Sequence, residues 1–276
     1  MQKKHSLAVL LGVLCLAFFV HLYHELSFNP LHDVQAYRGT DIDSYVNLAI
    51  NDSYQPFPNE NTIHRDTEYP LVFIALYPFV FFGSYFGFAI FMALYATLTG
   101  ALVFFLAEEI QPESGLFAAW IWLFNPLNYR VFFDLSQQLL ATFLGLLLLA
   151  VLLVIGTRVY DAKFDKPWIV LLILIAILTL LAHQTGMFWV AAAMIALLMG
   201  LVFFLEYTIV AVAALLVLSF VSWRFFIMLA FPVTVALLFA PRKYWPLIAT
   251  LFLLGYLIAP WIFGAPATAV VGGTLK

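Results

Sequence analysis

The chain has 276 residues, of which 65% are apolar and only 10% charged, with 29 phenylalanines and a net charge of −3. A soluble domain carries roughly 25% charged residues, so this composition excludes a soluble enzyme. With 12 Lys and Arg against 15 Asp and Glu there is no basic face for nucleic acid. The single cysteine, Cys15, excludes an intramolecular disulfide framework and a multi-cysteine metal site. A polytopic membrane protein remains.

In chain order, apolar runs bounded by polar breaks predict nine membrane helices, at about 6–23, 85–107, 116–127, 137–157, 167–183, 187–205, 207–221, 226–240 and 246–263. The expected fold is all-α, one integral membrane domain over 1–276. A polar loop and an interfacial helix, together 24–83, are inserted after the first span. No small-residue cleavage site stands out near residue 24, so the first span is read as uncleaved rather than as a signal peptide. A perpendicular crossing needs about 20 residues. The 116–127 run is too short unless it borrows polar neighbours or lies in a protein-lined recess.

The run 71–83, short and interrupted by Pro78, decides the topology. With it in the interface and the N-terminus cytoplasmic, the inside holds seven basic residues: Lys3, Lys4, Arg158, Lys163, Lys166, Arg242 and Lys243. If it crosses, the inside keeps only Lys3, Lys4, Arg130, Arg224 and Lys276. The positive-inside rule favours the first arrangement. It places 24–70 outside the cytoplasm, with eight of the fifteen acids and His24, His32 and His64. Long loops in compact proteins tend to be functional or disordered.

Within that loop, 40–49 reads as a short helix with Ile42, Tyr45, Val46 and Ala49 on one face. Thr40 and Asp43 form a capping-box pattern. Asp41 at the helix start is either a dipole-complementing acid or a reactive carboxylate. Asp41 and Asp43 are the candidate ligands for a divalent cation if the turn is irregular. Next, His64, Asp66 and Glu68 share a side if extended, either as a solvated edge or as a metal- or sugar-binding one. Pro70 holds Tyr69 extended.

Three further turns fall on the same predicted side. Asn125-Pro126-Leu127-Asn128-Tyr129-Arg130 precedes Gln137-Gln138, His183-Gln184-Thr185-Gly186 joins two helices, and Ser222-Trp223-Arg224 joins another pair. Arg130 and Arg224 are either headgroup-snorkelling residues or cations of a shared site. His183 is either an interface residue hydrogen-bonded to a carbonyl or a site residue. No charged residue lies near the middle of a predicted span, which argues against a proton-coupled carrier. Neither a phosphate-binding glycine loop nor a GxSxG elbow is present.

The order Asp41-Ile42-x-x-Tyr45-x-x-x-Ala49, Glu68-Tyr69-Pro70-Leu71, Asn125-Pro126 and Gln137-Gln138 resembles the multi-span GT-C glycosyltransferases. It is most similar to the polyprenol-phosphate-mannose-dependent mannosyltransferases, over about residues 6–190. Leu71 stands where their pattern has a second proline, and the chain is a short form. The resemblance implies transfer of a mannose-like hexose from a polyprenyl-phosphate donor to a glycan, lipid or protein acceptor on the extracytoplasmic face. It implies Asp41 as general base, and Arg130 and Arg224 at the phosphate. Asp43, Tyr45, Glu68, Tyr69, Gln137 and His183 would contact substrate, with Mg2+ or Mn2+ as a possible cofactor. The contrasting expectation is a non-catalytic subunit for translocation or assembly of lipid-linked polymers, working with a partner membrane subunit.

Overall fold

A computed structural model of the chain describes residues 2–28, 71–82, 84–133, 136–160, 166–183, 185–198 and 229–260. Among these residues every regular element is helical. The helices are α1 (Gln2–Phe28), α2 (Leu71–Leu76), α3 (Ser84–Ile110), α4 (Gly115–Leu123), α5 (Tyr129–Phe133), α6 (Ser136–Tyr160), α7 (Lys166–Ala182), α8 (Gly186–Leu198), α9 (Ala230–Leu238) and α10 (Trp245–Ala259). Short 3-10 segments occupy Tyr77–Phe82, Pro126–Asn128 and Arg242–Tyr244.

Three helices contain stretches long and apolar enough to cross a membrane: Ser6–Ser27, Phe86–Ile110 and Gln137–Val154. They mark the chain as membrane-embedded. Five other predicted spans are represented by shorter described helices, and 207–221 lies outside the described residues. At 1.5 Å per residue the nine-residue α4 is only about 13 Å long. It occupies a protein-lined recess, packed on α3, α9, α10 and α1. The 71–82 stretch is a six-residue α-helix followed by six residues of 3-10 helix. It measures about 21 Å if straight, short of a ~30 Å hydrocarbon core.

The first helix corrects the sequence reading. It runs to Phe28, so His24 and Glu25, read as the start of the polar loop, are helical and buried. Polar residues do not end a helix when the neighbouring helices offer them partners.

Packing sets the sidedness of the bundle. Near its start, α1 packs Leu10 against Phe104 and Ala119. Near its end, His21 lies against Phe132 and Tyr256. The α10 helix likewise begins beside the Arg242–Glu113 ion pair and ends near Tyr256. The reversal at 108–115, the start of α1 and the start of α10 therefore share one end. The close of α1, the turn after α4 and the first turn of α6 share the other.

Close helix contacts depend on small residues. A Cβ at Gly100 would meet the Leu123 side chain at 2.5 Å, and one at Gly145 would overlap the Trp189 ring. The Trp189 indole in turn packs on Phe231, with ring centroids 5.4 Å apart, tying α6, α8 and α9 together. Gly145→Ala should lower the thermal midpoint of the detergent-solubilised protein. Overpacking of this kind costs roughly 1–3 kcal/mol. Trp189→Leu in the same chain should recover part of the loss, as a double-mutant cycle of thermal unfolding would show.

Candidate functional site

The last turns of α1 carry His21, His24 and Glu25 at i, i+3 and i+4, hence on one face. All three are buried, at 1%, 3% and 1% exposure. His21 Nδ1 lies 2.6 Å from the Tyr256 hydroxyl, joining positions 235 residues apart. A phenol both donates and accepts, so it pairs with either imidazole tautomer. The His24 ring stacks on Tyr256 at 5.3 Å with planes 7° apart. Tyr129, at the start of α5, closes edge-on against both, at 5.9 Å from His24 and 5.5 Å from Tyr256. Phe124 and Phe132 flank His21.

The local sequence explains how these rings meet. Asn125 Oδ1 accepts the Leu127 N–H at 3.0 Å, with Pro126 at the first 3-10 position, where its missing N–H costs nothing. The Asn128 amide donates to the Trp122 carbonyl at 3.1 Å, satisfying a helix-end acceptor that water cannot reach. This turn delivers Tyr129 to the cluster. On the far side, Gly255 lets α10 approach: a Cβ there would stand 3.1 Å from the Pro126 ring.

Burying three ionisable side chains within an apolar bundle is costly. Helix cohesion alone would be served by leucine. Among the described residues His21 Nε2 has no hydrogen-bond partner, nor have the buried Asn125 Nδ2 and Gln138 Oε1. Unmet polar atoms in a protein interior call for an explanation in water, an ion or a ligand. The arrangement combines aromatic faces with neutral and acidic hydrogen-bonding groups. Its chemistry suits hydroxyl-rich or proton-exchanging partners better than a bare phosphate, which needs cations. Among the described residues no group of three His, Cys, Asp or Glu could hold a metal ion.

The sequence-predicted residues fall into two sets. Asp41, Asp43, Tyr45, Glu68, Tyr69 and Arg224 lie outside the described residues. Arg130 follows Tyr129 on α5, and Gln137 is buried in the first turn of α6, both at the bundle end of the cluster. His183 is buried beyond the end of α7, where α7 returns toward the start of α6. Its Nδ1 accepts the Thr185 N–H at 3.1 Å and lies 3.0 Å from the Thr185 hydroxyl. These bonds close the turn between α7 and α8.

Sequence reasoning missed His21, Glu25, Tyr129 and Tyr256. The signal was the i, i+3, i+4 polar face that straddles the end of the first apolar run. Removing only the Tyr256 hydroxyl, as Tyr256→Phe, should destabilise the protein by roughly 1–3 kcal/mol by leaving His21 buried and unpaired. His21→Leu combined with Tyr256→Phe should recover much of that loss in thermal unfolding, because a matched apolar replacement removes the stranded donor and acceptor together.

No family model matches the chain, and neither the curated proteins nor the solved structures gave a match.

Proposed function

We propose that the chain is a membrane transferase acting on polyprenyl-phosphate-linked sugar. It moves a mannose-like hexose to a glycan, lipid or protein acceptor by an inverting displacement on the extracytoplasmic face. The observation that carries this reading is the buried His21, His24 and Glu25 cluster, which ends where the acid-rich segment 29–70 leaves α1. Arg130 and Gln137 belong to that same end of the bundle. An ionisable cluster buried in membrane helices is by default a functional one.

In this mechanism Asp41 takes the proton of an acceptor hydroxyl as its oxygen attacks the anomeric carbon. The bond to the polyprenyl phosphate breaks, and the leaving phosphate carries the electron pair. A positioned carboxylate base contributes about 10²–10⁴-fold. Arg130 and Arg224 supply charge at the leaving phosphate, where bidentate guanidinium contacts are strongest. Asp43, Tyr45, Glu68 and Tyr69 would orient the sugar, with Gln137 at the adjoining helix start. A divalent ion, if one is used, would rest on Asp41 and Asp43, and no step above depends on it.

A second reading is a non-catalytic subunit for lipid-linked polymer assembly that works with a partner membrane subunit. Leu71 in place of a second proline favours it.

Transfer of labelled mannose from polyprenyl-phosphate-mannose in membranes containing the full chain separates the two readings. Asp41→Asn should lower the transfer rate at least about 100-fold, with the protein still present at its normal level. Arg224→Ala should mainly raise the donor KM. Transfer that persists undiminished in Asp41→Asn would overturn the catalytic role.

A further inference from the structure

At the bundle end opposite the polar cluster, a cavity of about 700 Å³ lies between the start of α1, the end of α3 and the end of α6. Its volume is within the ~300–1,000 Å³ range of ligand sites. The bore is apolar, formed by Leu7, Leu102, Phe105, Ala150 and Leu153. Ser6, Glu108, Glu109 and Pro112 add the polar part of the wall. We propose that this cavity holds one bilayer phospholipid with a zwitterionic primary-amine headgroup, a phosphatidylethanolamine.

The charges around the cavity choose the headgroup. Both oxygens of Glu108 are engaged, accepting the Glu113 N–H at 3.2 Å and the Gly115 N–H at 2.8 Å. Glu109, one residue on, is exposed and makes no ion pair among the described residues. It is the carboxylate left for a cation. On the other flank, Arg242 donates to the carbonyl of the cavity-lining Pro112 at 3.3 Å and to Glu113 at 2.7 Å. A guanidinium has five N–H donors, so two bonds leave others for a phosphate oxygen. Glu109 in the wall, and Arg242 just outside it against the lining Pro112, put an anion and a cation beside one apolar cavity, an arrangement that complements a zwitterion.

An ammonium with three N–H donors can bond Glu109 and the Ser6 hydroxyl directly. A choline group has no N–H to offer. A purely anionic headgroup meets Glu109 unfavourably. The depth also fits: Tyr244 and Trp245 stand beside Arg242, and such aromatic and basic residues gather at headgroup level. An acyl chain in the bore would cover Leu7 and Phe105, which α1 and α3 leave exposed.

The test uses the full chain in detergent, mixed in turn with phosphatidylethanolamine, phosphatidylcholine and phosphatidylglycerol, and native mass spectrometry of the retained lipid. Retention of the ethanolamine lipid should exceed that of the choline lipid by about two- to fivefold, the upper part of the range for one exposed ion pair. Glu109→Gln, at an exposed position that leaves folding intact, should bring the two to parity. Ala150→Leu should reduce retention of both by filling the bore. Equal retention of ethanolamine and choline lipids by the unaltered chain would overturn the proposal. So would a preference for phosphatidylglycerol, which assigns the site to phosphate alone, or an ethanolamine preference that survives Glu109→Gln.

Discussion

The Glu108 carboxylate, clamped on the N–H groups of Glu113 and Gly115, is the interaction from which the rest of the bundle is organised. It reverses the chain at the end of α3 and starts α4, complementing the positive end of that helix. Glu113 takes a positive φ of 69° in the reversal, and the Ser114 hydroxyl donates to the Ala107 carbonyl at 3.0 Å. A helix beginning this way enters an apolar interior with its first donor, the Gly115 N–H, already satisfied. In lipid, where water cannot reach orphan groups, that condition decides which short helices can exist.

Because α4 stops inside the bundle, its far end needs partners as well. They come from a chain of tryptophan and asparagine contacts. Trp120 donates from Nε1 to the Ala249 carbonyl at 3.1 Å, and Trp122 to the Thr99 hydroxyl at 2.8 Å. Asn128 returns to the Trp122 carbonyl. Each contact fixes α4 to a different neighbour, α10 or α3, or closes the turn that follows. The half-length helix is therefore a wedge whose tip sets the depth of Asn125, Tyr129 and the polar cluster.

Much of this was legible as hydropathy. The limits of α3, α6 and α7 fall within a few residues of the apolar runs, and the 116–127 run was already too short to cross unaided. The end of α1 was not legible. His24 and Glu25 look like the first residues of a loop because an average over a window registers their polarity but not their direction. Three polar residues on one face change a mean little, yet they decide what that face can touch. Tyr256, more than 200 residues on, was hidden for a related reason: in a run of leucines a tyrosine reads as one more apolar residue until its hydroxyl has a partner. His183 stood out by its type and its place at a helix end, and spacing alone did not show that its Nδ1 accepts the Thr185 N–H.

The α10 helix gives the two ends of the bundle a common rigid element. Its Trp245 ring lies flat on Phe117, with centroids 4.4 Å apart and planes 1° apart, at the end where Arg242 meets Glu113. About three turns later Tyr256 meets His21 and His24. The exposed ion pair contributes little by itself, since both partners are more than half solvent-accessible. The stacked rings and the Trp120 bond hold α10 in register with α4 instead. A helix fixed along its length transmits position rather than energy. Tyr256 therefore meets the imidazoles at a depth set by the packing of α4 against α10, and that packing traces back to the carboxylate that starts α4.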